Sequence, residues 1–234
     1  MGKENDCMIG ILAAMEEEML LLKDALQVEE PERICGIDFY IGTLSGKEIV
    51  LSQCGVGKVN SSMAATLLID HFGCDLLINT GIAGGIKGVE TKDIVIAKSL
   101  MYYDVDAHMF GYAYGQVPKM PRYYTPSIEA NLRVKKALKK LGYSYKEATI
   151  YSGDSFVSSL EPLKNIAVDE ISVVEMEGAS IAQVCVKSGI DFMVLRYVSD
   201  LVGHPNQIED YSCFESEMAK RSARICLEML EKLA

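Results

Sequence analysis

Short apolar runs rich in Val, Ile and Leu recur along this chain, and the segments between them carry the punctuation of helices. The runs are CMIGILAA at 7–14, IVLSQC at 49–54, DLLINT at 75–80, DIVIAKSL at 93–100, VVEM at 173–176 and DFMVLRYVS at 191–199. Runs of this kind fit strands covered on both faces, as in parallel or mixed sheets. Between them, Lys58 to His71 stops before Gly73. Thr125 precedes Pro126 as an N-cap would, and Ile128, Leu132, Leu138 and Leu141 form an apolar stripe reaching Gly142. Glu177 to Ser188 ends at Gly189, and Phe214, Met218, Ile225 and Met229 mark the apolar face of a final helix. The alternation predicts an α/β fold with a central sheet: one domain over 8–234 behind a polar extension at 1–7.

The formal charge of −10 argues against a nucleic-acid surface or a face for anionic membranes, since both recruit lysine and arginine. The dense basic cluster of Lys135, Lys136, Lys139 and Lys140 reads as the solvated face of a helix. Seven cysteines, with no CxxC pair and mostly apolar neighbours, fit reduced thiols in a cytoplasmic protein. No run approaches the roughly 18 apolar residues of a membrane span, and the polar start lacks a signal-like region. The stretch 102–124, with Gly111, Gly115, Pro118 and Pro121, has no clear periodicity. A loop that long in a compact domain is usually functional or part of an interface.

Glycines, carboxylates and aromatics gather at the ends of the apolar runs, where ligands bind in open α/β sheets. NTGIAGGI (79–86) places Gly81, Gly84 and Gly85 where the backbone either meets a ligand closely or makes a tight turn. Its spacing matches neither the dinucleotide fingerprint nor the P-loop. QCGVGKV (53–59) is a second glycine-rich passage, in which Lys58 reads as structural rather than as a phosphate ligand. In VVEMEGASIA (173–182), a continued strand puts Glu175 and Glu177 on one face. A helix starting at Glu177 instead puts that carboxylate at the positive end. It is then either a surface helix start or a buried acceptor for two sugar hydroxyls. LRYVSD (195–200) ends in Ser199-Asp200, which is a cap or another carboxylate at a strand end. Phe156 in YSGDSFV reads by itself as core, and otherwise as a stacking surface. DVDAH (104–108) lacks metal-site spacing, and neither HExxH nor GxSxG occurs, so no metal and no cofactor are expected. AAMEEEM (13–19) is either a solvated helix start or one whose glutamate turns inward.

Together AAMEEEM, GVGKV, NTGIAGG, FGYAYGQVP, SGDSFV, VEMEGASIA and RYVSD resemble, in order, the bacterial 5′-methylthioadenosine/S-adenosylhomocysteine nucleosidases of the nucleoside phosphorylase superfamily. The resemblance runs from Met8 to the final helix. It implies a nucleoside phosphorylase-like fold with a mixed twisted sheet. It also implies hydrolysis of the N-ribosidic bond of methylthioadenosine and S-adenosylhomocysteine, extending to 5′-deoxyadenosine, with release of adenine and a 5-thioribose product. Asp200 would protonate adenine N7, with Ser199 orienting it; such an acid needs burial to keep its proton at neutral pH. Glu18 would position and deprotonate the attacking water, and Glu177 would accept the ribose 2′- and 3′-hydroxyls. Phe156 would stack on adenine, and the backbone of Val157 would read its edge. Met15, Val56, Phe110, Met176 and Tyr211 would line the pocket for the 5′-alkylthio group, and Ile82, Ala83 and Gly84 would complete the substrate-binding wall. In the family the loop carrying Phe110, Tyr112 and Pro118 reaches the neighbouring subunit's site, which implies a homodimer. Two positions depart from the family pattern. Ile82 stands where a serine usually helps to hold the water, and Ala107 stands where valine is expected near the alkylthio pocket.

A phosphorylase would need cationic ligands for phosphate. AAMEEEM and NTGIAGG contain no arginine, and three glutamates would repel the anion, which favours water. A hydrolase of futalosine-type nucleosides would use a similar constellation on another 5′ substituent. A nucleoside-binding protein without turnover is suggested by Ile82 and opposed by the presence of Glu18, Glu177 and Asp200. The expected partners are a small nucleoside and a second copy of the chain, with no nucleic acid and no membrane.

Overall fold

The six apolar runs become six strands of one nine-stranded sheet, and the other three strands, at Glu32–Ile34, Ile37–Leu44 and Lys146–Ser152, lie outside those runs. A computed structural model describes residues 8–28 and 30–232, apart from the side chains of 214–216. The extension 1–7 with its Cys7, and the side chain of Phe214, lie outside the described residues. In chain order the elements are β1 (Ile9–Ala13), α1 (Glu16–Leu26), β2 (Glu32–Ile34), β3 (Ile37–Leu44), β4 (Lys47–Gln53), α2 (Lys58–Asp70) and β5 (Leu76–Lys87). There follow β6 (Ile94–Tyr102), α3 (Ile128–Leu141), β7 (Lys146–Ser152), β8 (Ser172–Glu175), α4 (Gly178–Ser188), β9 (Asp191–Leu201) and α5 (Gln207–Lys232).

The spatial order is β2-β3-β4-β1-β5-β8-β7-β6-β9, and β9 also pairs with β5. Strands β5, β8, β7, β6 and β9 therefore form a closed circuit, leaving the β2–β3 hairpin at the free edge. The sheet is mixed: β1 runs parallel to β4 and β5, whereas β8 runs antiparallel to β5. Alternate residues of β1 feed opposite faces. Ile9, Ile11 and Ala13 join a core containing residues of α1, α3 and α5, while Leu12 joins one containing residues of α2 and α4. Two-sided burial is why these runs are apolar without alternation. Among the described residues no helix is long and apolar enough to cross a membrane.

Two local expectations need correction. NTGIAGGI is neither turn nor loop, because β5 continues through it to Lys87. Gly84 and Gly85 pair with β8 on one side and β9 on the other. The glycines permit close approach: a Cβ on Gly81 would lie 2.6 Å from Glu18 Oε1, and one on Gly85 would lie 2.7 Å from side chains of Leu201 and Val89. Helix α3 is capped by Ser127, whose hydroxyl accepts the N–H of Ala130, rather than by Thr125. Its buried face is Ala130, Val134, Ala137 and Leu138, while Ile128 and Leu132 are exposed. Two alanines on the inner face let the helix sit close to the sheet, so residue size misled the choice of stripe. On α5, Met218, Ile225 and Met229 are buried as the spacing required.

Candidate active site

The carboxyl ends of β1, β8 and β9 and the glycine-rich middle of β5 meet around a solvent-open cleft, about 590 Å³ with the open space at its mouth included. Glu18 reaches it because β1 passes into α1 through only Ala14 and Met15. As the third helical residue, Glu18 folds back over the open start of its own helix. Its Oε2 accepts the N–H groups of Ala14 at 2.9 Å and Met15 at 3.1 Å, and Oε1 accepts that of Ile82 at 3.0 Å. Glu18 is only 3% exposed, whereas Glu16 faces solvent. Burial pushes the Glu18 carboxyl above its ordinary value of 4.5, against the opposing pull of the Arg196 charge and the three N–H bonds.

Glu175 and Glu177 take different tasks, which decides between the two readings of VVEMEGASIA. Strand β8 ends at Glu175, and Glu177 is the N-cap of α4. Glu175 is fully engaged. Its Oε2 accepts from Arg196 at 2.5 Å and from the N–H groups of Gly178 at 2.7 Å and Glu177 at 3.1 Å, and Oε1 accepts from Ser152. Arg196 also donates to the side chain and carbonyl of Asn79, so this buried guanidinium ties β9, β5 and β8 together beside the cleft. Glu177 receives the N–H of Gly57 on Oε1 at 2.9 Å and otherwise faces the cleft. Desolvation raises the Glu177 pKa, and the neighbouring Glu175 charge raises it further. A carboxylate held this way has acceptor capacity left for hydroxyl donors.

Asp200 lies on the opposite side, 2% exposed, near the end of β9. Ser199 Oγ donates to its Oδ1 at 2.6 Å, and Gln207 Nε2 donates to its Oδ2 at 2.8 Å. Gln207 also donates to the carbonyl of Val157 at 2.9 Å, while its own Oε1 accepts from Gly203 N–H. One buried amide thus connects the acid with the segment that carries Phe156. Phe156 is half exposed at the mouth, its ring 5.2 Å from that of Tyr211 in an edge-on arrangement. Tyr211 in turn reaches Met15, O–H to Sδ, at 3.8 Å.

Of the residues singled out from sequence, Glu18, Glu177, Asp200, Ser199, Phe156 and Val157 line this cleft. So do Met15, Val56, Ile82, Ala83, Gly84, Met176 and Tyr211. Phe110, Tyr112 and Pro118 do not reach it within their own chain, and Phe110 is 82% exposed. Ala107 is also absent from the lining. Gln207 was missed, because a polar residue at a helix start carries no mark of the contacts it will make. Arg196 was visible only as part of RYVSD; its burial follows from partners on other strands.

Residues 8–231 match the family model described as the phosphorylase superfamily. The chain is 40% identical over 232 residues to a 5′-methylthioadenosine/S-adenosylhomocysteine nucleosidase of Desulfotalea psychrophila, covering 96% of this chain and 97% of that one. Its structure is similar to that of an S-adenosylhomocysteine nucleosidase of Streptococcus pyogenes in complex with 5-methylthiotubericidin. There the TM-score is 0.91 at 38% identity, with 100% of each chain covered. It is also similar to a futalosine hydrolase of Helicobacter pylori, with a TM-score of 0.90 at 32% identity, over 97% of this chain and 99% of that one.

Proposed function

This chain belongs to the phosphorylase superfamily and, within it, to the 5′-methylthioadenosine/S-adenosylhomocysteine nucleosidases, and from that membership we propose how its residues share the reaction. The enzyme is an N-glycosyl hydrolase that cleaves the N-ribosidic bond of methylthioadenosine and S-adenosylhomocysteine and releases adenine. The observation that carries this reading is a cleft lined by Glu18, Glu177 and Asp200 with no lysine or arginine among its described lining residues.

Cleavage of a glycosidic bond passes through an oxocarbenium-like sugar and needs an acid for the leaving group and a base for water. Asp200 is the acid, delivering a proton to adenine N7 while Ser199 and Gln207 hold its carboxyl in place. Glu18 is the base, receiving a proton from the water that attacks C1′. Its carboxylate is aimed by Ala14, Met15 and Ile82 rather than by solvent. Glu177 accepts the ribose 2′- and 3′-hydroxyls. Phe156 stacks on adenine, and Met15, Val56, Met176 and Tyr211 surround the 5′-alkylthio group. Ile82 makes the wall near Glu18 apolar and leaves its N–H committed to that carboxylate, so water is held chiefly by Glu18. Carboxylates beside the sugar favour a cationic transition state when they are ionised, and the described lining offers no lysine or arginine to an anionic nucleophile.

Adenine release from methylthioadenosine is expected to proceed at full rate in phosphate-free buffer and to be unchanged by added phosphate. Phosphate-dependent turnover would overturn the hydrolase reading, and a strong preference for futalosine would move the substrate assignment to that neighbour's class. The chain works as a homodimer in which Phe110, Tyr112 and Pro118 complete the partner's pocket. The support for this is an exposed apolar set comprising Phe110, Met109, Val59 and Val56. A monomer in sedimentation equilibrium with full activity would sink it. Buried cysteines outside any disulfide, at Cys54, Cys185 and Cys226, suit the reducing cytoplasm.

A further inference from the structure

Helix α2 begins with Gly57 as N-cap, so no side chain of its own covers the open N–H groups of its first turn. Two carboxylates from distant parts of the chain cover them instead. Gly57 N–H donates to Glu177 Oε1 at 2.9 Å, and Lys58 N–H donates to Asp154 Oδ1 at 2.8 Å. The ammonium of the same lysine meets Asp104 Oδ2 at 2.6 Å and Asp154 Oδ2 at 3.7 Å, with the Tyr102 ring centroid 5.4 Å away. Asp154 N–H closes the cluster by donating to Asp104 Oδ2 at 3.0 Å.

These contacts join three segments that matter to the cleft. Asp104 follows β6 at the root of the segment carrying Phe110, Tyr112 and Pro118. Asp154 follows β7 and lies two residues before Phe156. Lys58 adjoins the N–H that holds Glu177. Two like-charged carboxylates paired with one cation stay together; without the cation they repel, screened on one side only, since Asp104 is 27% exposed and Asp154 48%.

We propose that Lys58 is a positioning residue: its backbone and ammonium clip the Asp104 and Asp154 loops to the start of α2, holding the Phe156 stacking surface in register with the ribose carboxylate Glu177. The inference rests on the assignment of Phe156 and Glu177 to substrate binding. Without the clip, binding must itself order the loops, and the cost falls on substrate affinity more than on the chemical step. Asp200 and Glu18 make none of the clip's contacts.

The test compares steady-state constants for methylthioadenosine in Lys58→Met, Lys58→Arg and Asp104→Asn. Lys58→Met is expected to raise KM by about tenfold to about a hundredfold with little change in kcat. Lys58→Arg should restore KM to near the parent value, and Asp104→Asn should raise it without adding to the effect of Lys58→Met in the double variant. Folded Lys58→Met protein with parental KM overturns the proposal, as does an arginine variant no better than methionine. If Lys58→Met does not fold, Asp104→Asn decides: raised KM supports the clip, and parental KM overturns it. Adenine release by the parent enzyme tests the functional reading separately.

Discussion

Asp200→Asn is expected to lower kcat by about 10²–10⁴-fold while leaving substrate affinity close to that of the parent. The asparagine can keep the local network. Its carbonyl takes the bond from Gln207 Nε2, and its amide donates to Ser199 Oγ, whose own proton can pass fully to the Ala83 carbonyl it already meets at 3.3 Å. What disappears is the transferable proton. Adenine then departs as an unprotonated anion, which is a poor leaving group. Equilibrium binding of methylthioadenosine beside single-turnover adenine release separates the two effects. Near-parental turnover would remove Asp200 from the acid role, and a large loss of binding would show that the variant disturbs the cleft rather than the chemistry.

Glu18→Gln is the second large effect, with an expected fall in kcat of about 10²–10⁴-fold from loss of the base. It also changes stability in a pH-dependent way. In the unfolded chain Glu18 ionises near its ordinary value of 4.5, whereas in the fold burial keeps the proton on to higher pH. Between those two values the folded state binds more protons, so stability contributed by Glu18 is full below 4.5 and is lost as pH rises through the raised folded value. Glutamine does not titrate. The melting temperature of Glu18→Gln relative to the parent should therefore climb over the range above pH 4.5 in which folded Glu18 loses its proton. In the parent, the acidic limb of kcat/KM should lie above the range of an ordinary glutamate, because Glu18 acts only when ionised. A constant difference in melting temperature across that range would contradict the buried, proton-retaining Glu18. Part of the gain is opposed: one of the three N–H groups now facing carboxylate oxygen would meet an amide NH₂ instead.

Where local pattern and tertiary burial report the same thing, the chain was readable. The run at 191–199 is largely apolar, without alternation, because β9 is covered on both faces, and Met218, Ile225 and Met229 recur at helical spacing because one side of α5 is covered. AAMEEEM showed a strand leading into an acidic helix start. Which glutamate turned inward followed there from the resemblance, and the geometry gives a local cause in the open N–H groups beside Glu18. Legibility failed where two distant segments had to meet. Gly81, Gly84 and Gly85 suggest a turn in isolation; only pairing with β8 and β9 makes Gly84 and Gly85 strand residues, and only distant side chains crowd a Cβ, Glu18 at Gly81 and Leu201 and Val89 at Gly85.

The division between Glu175 and Glu177 has the same origin. Two residues apart, they differ in function because Arg196 and Ser152 saturate one, while a single N–H from Gly57 leaves the other open to the cleft. By itself the sequence determined the alternation of most strands with helices, though not the β2–β3 hairpin, and the residue types available to the cleft, since burial and periodicity are written in local composition. The tertiary structure alone decided which carboxylates are spent on structure and which remain for a ligand, and how Gln207 and Lys58 are used. Hydrogen-bond satisfaction in a buried site depends on partners that lie far away along the chain, and no local pattern records them.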